Sequence, residues 1–341
     1  MTSREGGAEA PGRRAGRPGW KLTQEGVVFA LAVVLFALFA LTLDKFLTAG
    51  NLVALVRSVA ILGILGLGMG LVVIGRGIDL AMVATMVVSV SWILALSDTG
   101  MPLGTALLIG FAFAVAVGFA SGILIAYATI PAIFTTLAMG LIVYGSGRAW
   151  LFQVDVQNTP ANSEFFNFLA QATVLGIPMM IVAFAVLAVI VWALLKWTRF
   201  GRFVYATGDN PSAARVAGIP TRYLMVAQYV ITAIIAYLAG LIMAAANSGM
   251  STRVYNSTMI YDVLLVVVLG GIGLSGGRGG VRNVLVGTLL VGVLLNGMTI
   301  FDIPYTQQNL IKSVILLIAI VIDSIVNPRD EQTAQQEQGD I

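Results

Sequence analysis

The ionisable residues inside long apolar stretches are those most able to do chemistry in this chain. Arg76 and Asp79 interrupt one stretch at the sequence V-I-G-R-G-I-D-L (73–80), and Asp262 lies at the edge of another. A charge at membrane depth is costly, so such residues usually pair, reach water or line a path. The spacing of Arg76 and Asp79 predicts either an interfacial turn closed by an ion pair or a broken helix that faces a translocation cavity.

The usual catalytic side chains are scarce. The chain has no His and no Cys, which excludes disulfides, thiolate metal sites, cysteine nucleophiles and histidine acid–base chemistry. Ser146 lies between two glycines, but no histidine is present to serve as its base in a protease. The phosphate-binding sequence G-x-x-x-x-G-K-[ST] does not occur, so the glycine-rich stretch 266–283 is not expected to bind ATP. We expect no catalytic residue, metal or cofactor on this chain.

Membrane-spanning helices must position these residues. The 341-residue chain is 58% hydrophobic and 10% charged, whereas a soluble domain is about a quarter charged. Because a span needs about 20 residues, the uncharged runs predict about ten spans in an all-α polytopic membrane protein. The run 99–147 is expected to fold back near Tyr127–Pro131. The predicted spans lie at 27–43, 58–75, 80–97, twice within 99–147, then at 165–195, 223–252, 263–277, 283–301 and 310–326.

The ten-span count predicts a transmembrane domain at 25–327, between tails at 1–24 and 328–341. Most of the 19 Lys and Arg residues then fall on the side of the tails. Because basic residues favour the cytoplasmic side, both termini are predicted to be cytoplasmic. Lys312 and Asp323 lie near the ends of the last span, where we expect them to reach water. The longest outer loop, 151–178, offers Asp155, Gln157, Asn158 and Glu164 either to a partner or to solvent alone.

A basic stretch, Lys196–Tyr223, separates two apolar runs and carries five basic side chains. They are Lys196, Arg199, Arg202, Arg215 and Arg222. Its centre, 208–220, predicts a short helix, because Asn210 suits the N-cap, Pro211 suits the first helical position, and Gly218 can end the helix. A capped helix on the cytoplasmic face of a membrane protein is expected to bind a partner.

Four segments resemble the permeases of ribose-type monosaccharide ABC importers, in the branched-chain amino acid/ribose permease superfamily. They are G-I-D-L at 77–80, I-P-A-I-F-T-T-L-A-M-G at 130–140, T-R-F-G-R-F-V-Y-A-T-G-D-N-P-S-A-A-R-V-A-G-I at 198–219, and L-G-G-I-G-L-S-G-G-R-G-G at 269–280. The resemblance covers about residues 27–326 and implies an ABC importer permease fold with two related halves. The repeated G-R-G at 75–77 and 277–279 agrees with such halves.

The resemblance also implies a function and partners. A permease of this kind passes a monosaccharide, either a pentose, a hexose or a related polyol, from a periplasmic binding protein across the bacterial inner membrane. A second permease copy forms a homodimer or a heterodimer with it, and cytoplasmic ATPase subunits hold ATP and Mg²⁺; no nucleic acid takes part. The coupling segment, 198–222, docks on the ATPase. Its implied contact residues are Gly208, Asp209, Asn210, Ala213, Ala214, Arg215, Gly218 and Ile219.

A path for a neutral sugar needs polar groups that match hydroxyls, together with aromatic faces. The candidates are Asp79, Trp92, Thr135, Thr136, Tyr144, Asn247, Tyr261, Asp262 and Asn296. For each of them, packing or an interfacial position is the alternative. The chain departs from the family pattern at Ala81–Val83, where S-V-G is usual, and at Ile260, where an acidic residue is common. These departures bear on the identity of the solute.

Two other transport functions stay open. A permease of the same superfamily for branched-chain amino acids has the same broad fold. An ion-coupled secondary transporter would need acidic residues on the path, and Asp79 and Asp262 are its only candidates. Uptake driven by an ion gradient, without any ATPase, would identify this second class.

Overall fold

The computed structural model describes residues 24–326, which are mostly helical. The helices in this range are α1 Gln24–Thr42, α2 Ala49–Ile74, α3 Met82–Asp98, α4 Leu103–Ala126, α5 Ala132–Ser146, α6 Glu164–Gln171, α7 Met179–Trp197, α8 Arg199–Asp209, α9 Pro211–Val216, α10 Thr221–Ala246, α11 Met259–Leu269, α12 Val281–Ile300 and α13 Tyr305–Val326. A π-helical turn, Gly147–Leu151, continues α5, and a 3₁₀ turn covers Thr252–Asn256. Apart from Gln24, the predicted tails at 1–24 and 328–341 lie outside the described residues.

Ten apolar helices account for the predicted spans. Within the described range, eight helices are long and apolar enough to cross a membrane, and α3 and α11 are shorter apolar helices. The all-α polytopic class is therefore confirmed. An eleven-residue helix such as α11 rises only about 16 Å, which is about half the thickness of the hydrocarbon core. The α11 segment must therefore complete its crossing with the irregular backbone that follows it.

The structure confirms one predicted feature of the chain, a turn, and contradicts part of another, a span. The predicted turn at Tyr127–Pro131 is confirmed, since α4 ends at Ala126 and α5 begins at Ala132. The predicted span at 165–195 is wrong in its first half, where α6 is followed by a hairpin of strands β2 (Thr173–Val174) and β3 (Ile177–Pro178). Leu175 and Gly176 both adopt positive φ, 54° and 79°, the combination that closes a two-residue hairpin.

The long helices α2 and α10 lie at the centre of the bundle, whereas α1 and α13 are mostly exposed. Small residues bring the helix backbones together. A Cβ added at Gly118 of α4 would lie 2.6 Å from the carbonyl oxygen of Tyr229, and one added at Gly122 would lie 2.7 Å from Cα of Val226. Close approach of this kind holds helices together in lipid, where hydrophobicity does not drive their association.

The segments that connect the helices lie at two ends of the bundle, as their contacts show. The basic end contains 75–81, 127–131, 196–223 and 270–280. The opposite end contains 147–178, 247–258 and 301–305. At the opposite end, strand β1 (Val156–Asn158) pairs antiparallel with β4 (Gly249–Ser251). This division of the connections agrees with the sequence prediction, in which successive connections alternate between the two sides of the membrane and most basic residues lie on one side.

Candidate coupling site and solute path

The basic stretch forms two helices, α8 and α9, where the sequence predicts one short helix at 208–220. Thr198 caps α8, because its hydroxyl accepts a hydrogen bond from Gly201 N at 3.2 Å. The buried residues of α8 are spaced at helical intervals, so one face packs on the bundle and the other is exposed. They are Gly201, Val204, Thr207 and Gly208. Gly208 and Asp209 therefore end α8, and the predicted short helix begins only after them.

Helix α9 carries the three signals that predicted it. Asn210 Oδ1 accepts from Ala213 N at 2.9 Å, and Pro211 is at the first helical position. Gly218 ends the helix with φ +78°, a left-handed conformation that favours glycine. Most of α9 is exposed, and the Val216 side chain is 90% exposed. The helix is capped at both ends and presents the apolar side chain of Val216 at its surface.

Arg76 joins α8 to the interruption after α2. Its Nε donates to the carbonyl oxygen of Gly208 at 2.6 Å, and its Nη2 donates to that of Asp209 at 2.9 Å. These carbonyls lie at the C-terminus of α8, where a cation is favoured by the helix dipole. The alternative that Arg76 pairs with Asp79 is therefore wrong, because the guanidinium reaches a helix end instead.

The glycine-rich loop, 270–280, contacts the same place. Gly277 N donates to the carbonyl oxygen of Ile74 at 2.8 Å, and the Tyr205 hydroxyl of α8 donates to that of Gly279 at 2.8 Å. Burial raises the pKa of Tyr205, so the hydroxyl remains a neutral donor. We call residues 74–77, 205–209 and 276–280 the three-way junction. It joins α8 to both interrupted membrane segments.

Glycine is required at the centre of the three-way junction. A Cβ added at Gly208 would overlap the carbonyl oxygen of Ile74 and lie 2.6 Å from Gly277 N. Gly277 has φ +71°, and a Cβ there would lie 2.8 Å from Asp209 N. Backbone meets backbone at these contacts, so no side chain can move aside to make room.

The α2–α3 interruption is enclosed by protein. Asp79 is buried, and one of its carboxylate oxygens accepts from Ala81 N at 3.0 Å. The carbonyl oxygen of Ile78 accepts from the hydroxyls of Thr136 at 3.2 Å and Tyr229 at 3.4 Å. Irregular backbone at membrane depth is tolerated where protein groups satisfy it in this way. Thr135, the next candidate, is also buried in the first turn of α5.

The remaining path candidates lie elsewhere. Asn296 exchanges two hydrogen bonds with Asn51, at 2.7 and 3.0 Å. Trp92 packs edge-on against a phenylalanine of α4, and Tyr144 stacks on a tyrosine of the 3₁₀ turn at 4.2 Å between ring centroids. Asn247 is exposed at the end of α10. The structure therefore brings Thr136 to the backbone beside Asp79 but does not bring all the candidates into one site.

The structure contradicts the prediction that Lys312 reaches water near the end of the last span. Its side chain is 7% exposed, and its Nζ lies 2.8 Å from Oδ1 of Asp262 and donates to Thr258 Oγ1 at 2.8 Å. The side chain is directed towards α11 and not towards the end of the span, because α13 packs against the first turn of α11. Asp323, at the other end of α13, accepts from Leu274 N of the glycine-rich loop at 3.1 Å. The charges that the sequence assigned to the ends of the last span thus bind neighbouring segments.

The outer loop is held by one carboxylate. Asp155 forms ion pairs with Arg148 at 2.9 Å and with Arg253 at 3.1 Å. Gln157 is buried, whereas Asn158 and Glu164 are exposed. Asp155 is thus engaged within the chain. Among residues 24–326, no group of three or more acidic side chains is placed to hold a metal ion.

Comparison with known proteins gives consistent matches along the chain. A family profile described as the permease component of branched-chain amino acid transport systems matches residues 51–322. The chain is 28% identical to the ribose import permease of Escherichia coli K12, over 92% of this chain and 97% of that protein. It is 30% identical to the fructose import permease of Rhizobium meliloti, over 87% and 83%, and 31% identical to the L-arabinose ABC transporter permease of Azospirillum brasilense, over 93% and 92%. No solved structure matches it significantly.

Proposed function

Because the chain belongs to the family of permease components of branched-chain amino acid transport systems, we propose that it is the permease subunit of an ABC importer for a monosaccharide. The observation that carries the proposal is the similarity along about nine-tenths of the chain to permeases named for ribose, fructose and L-arabinose. The solute is then a pentose, a hexose or a related polyol. The phosphate-binding sequence G-x-x-x-x-G-K-[ST] does not occur in the chain, which supports the binding of ATP and Mg²⁺ by partner ATPase subunits.

The three-way junction supplies a route for coupling. Helix α9 docks on an ATPase subunit through its exposed face, which carries Arg215 and Val216. Arg76 holds the C-terminus of α8, and Asn210 caps the N-terminus of α9 directly after it. The two helices therefore move as a unit when the ATPase changes shape. Arg76 and Tyr205 pass this motion to the α2–α3 interruption and to the glycine-rich loop. Transport is driven at these two irregular segments, where the backbone is not fixed by a helical hydrogen-bond ladder.

The orientation follows from the charges. The basic end faces the cytoplasm of a bacterium, both termini are cytoplasmic, and the opposite end faces the periplasm. A periplasmic sugar-binding protein delivers the solute to the opposite end, where Asn158 and Glu164 are exposed. A second permease copy completes the complex in the inner membrane. The mostly exposed helices α1 and α13 leave ample apolar surface for this copy and for lipid.

A branched-chain amino acid is the second candidate solute, because the matching family profile is described by that activity. Mass spectrometry of the small molecule bound to the co-purified binding protein distinguishes the two. A monosaccharide supports the proposal, and leucine, isoleucine or valine in its place contradicts it.

Reconstitution tests the mechanism. The permease, its ATPase and its binding protein are placed in liposomes, and uptake of radiolabelled ribose, fructose and arabinose is measured with and without ATP inside. We expect uptake of at least one sugar only when ATP and all the subunits are present. Uptake by the permease alone, driven by a proton or sodium gradient, would instead identify a secondary transporter.

A further inference from the structure

A cavity lies between the first turn of α11 and helix α13, near the opposite end of the bundle, and its mostly apolar lining contains one polar cluster. Its volume is about 290 Å³. Asp262, Lys312, Thr258 and Asn309 line it together with aliphatic side chains of α13. It is distinct from the three-way junction, which lies at the basic end. No step of the coupling route uses it.

The ion pair in this cavity is unusual for its surroundings. The side chains of Lys312 and Asp262 are 7% and 13% exposed. Thr258 accepts from Lys312 Nζ at 2.8 Å and donates to Asn309 Oδ1 at 3.1 Å. Desolvating such a pair often costs more than its attraction returns, so an apolar pair would hold α11 to α13 at least as well. A buried ion pair at membrane depth that lines a cavity therefore indicates a functional site.

The lining determines the kind of ligand. An anion would meet Asp262 and a cation would meet Lys312, so the opposed charges favour a molecule without net charge, either a polyhydroxyl compound or a zwitterion. The proposed sugar transport selects the first, and transfer to leucine in the test below would support the second. Two vicinal hydroxyls match the pair, because one donates to the carboxylate while its neighbour accepts from the ammonium group. Tyr261, which is 56% exposed beside the cavity, offers an aromatic face. The volume lies at the small end of the range for ligand sites, about 300 Å³, which suits a single sugar ring.

We propose that this cavity is a transient binding site for one monosaccharide inside the permease, with Asp262 and Lys312 bound to vicinal hydroxyls. The inference rests on the proposed sugar transport and names the site at which the sugar pauses. At its other end, α13 contacts the glycine-rich loop through Asp323. The site is therefore linked by one helix to the segment that α8 moves.

The test measures binding and transport separately. Full-length permease with its ATPase subunits, but without binding protein, is placed in phosphatidylcholine nanodiscs, whose headgroups carry no hydroxyl. Saturation-transfer NMR is recorded with D-ribose, D-fructose and L-arabinose, and with leucine as a control ligand. We expect transfer to the transported sugar only. The variant Asp262→Asn/Lys312→Met keeps the net charge and should weaken this binding about tenfold or more, the effect of losing a hydrogen bond to a charged group.

Asp302→Asn is the matched control, because it removes an exposed carboxylate just before α13, outside the cavity. It should leave binding and uptake unchanged. In proteoliposomes, the double variant should lose uptake about tenfold while its ATPase activity remains. The inference is overturned if the wild-type complex imports a sugar but the permease shows no transfer, or if the double variant binds and transports normally. Absence of any sugar uptake by the wild-type complex would instead refute the proposed function and this inference with it.

Discussion

Replacing Arg76 with methionine should separate ATP hydrolysis from transport. The substitution keeps an unbranched apolar stem but removes the two hydrogen bonds to the carbonyls of Gly208 and Asp209, at 2.6 and 2.9 Å. A hydrogen bond to a charged group is worth roughly 1.5–3 kcal/mol. The bond to Asp209 is exposed, so we take the lower value for each and expect a loss of about 3 kcal/mol. That loss shifts the equilibrium between an attached and a detached α8 by about a hundredfold.

The assay is the number of sugar molecules imported per ATP hydrolysed, measured on the reconstituted complex. Arg76→Met should lower this ratio at least tenfold, while ATPase activity and complex assembly persist. Arg76→Lys should be intermediate, because a single ammonium group cannot reproduce the two-pronged geometry of the guanidinium. The matched control is Arg57→Met, which removes an arginine of α2 that also donates to a backbone carbonyl, that of Ala246, near the opposite end. An unchanged ratio in Arg76→Met, or an equal loss in Arg57→Met, would refute the role of the three-way junction.

Three further substitutions test the same region. Gly208→Ala should abolish coupling and lower the thermal stability of the detergent-solubilised protein, because its Cβ overlaps the backbone at Ile74; normal uptake would contradict this packing. Val216→Asp should prevent co-purification of the ATPase subunits without altering the melting temperature, since the side chain is 90% exposed, and an intact complex would place the docking surface elsewhere. Tyr205→Phe should lower the free energy of unfolding by about 1 kcal/mol, because it removes the hydrogen bond to the carbonyl oxygen of Gly279. Because burial raises the pKa of Tyr205, the stability that its hydroxyl adds should be fully present below about pH 10 and should disappear as the pH rises through the folded-state pKa. If the difference in unfolding free energy between the wild type and Tyr205→Phe grew with pH, the hydroxyl would not be a neutral donor.

Local signals in the sequence predicted the elements that depend on neighbouring residues. The apolar runs predicted the spans. Asn210, Pro211 and Gly218 predicted where α9 begins and ends, because caps act within one helical turn. The amphipathic helix α8 was missed, although the spacing of Val204, Thr207 and Gly208 is a helical signal. It was hidden by the high charge of the stretch, which favoured a loop.

Partners that are distant in the sequence could not be predicted. An ion pair with Asp79, three residues away, is one of the two alternatives that the sequence leaves open for Arg76, but its partners are the carbonyls at 208 and 209. Lys312 was expected to reach water, but it pairs with Asp262 because α13 packs beside α11. In both cases, the type of residue indicated that a charge needed a partner. Only the packing of the helices determined which partner was within reach.

The three-way junction explains why the two interrupted segments occur together. If α2 continued, the carbonyl oxygen of Ile74 would accept from the amide four residues later; instead, it accepts from Gly277 N at 2.8 Å. The bond that the helix loses is thus replaced by one to the glycine-rich loop. Moving α8 therefore exchanges hydrogen bonds between segments and does not break a helix, which lowers the cost of a conformational change. Helix interruptions would otherwise be a liability at membrane depth. Under the proposed coupling, their pairing at the end of α8 places the irregular backbone where an ATPase bound to α9 would act on it.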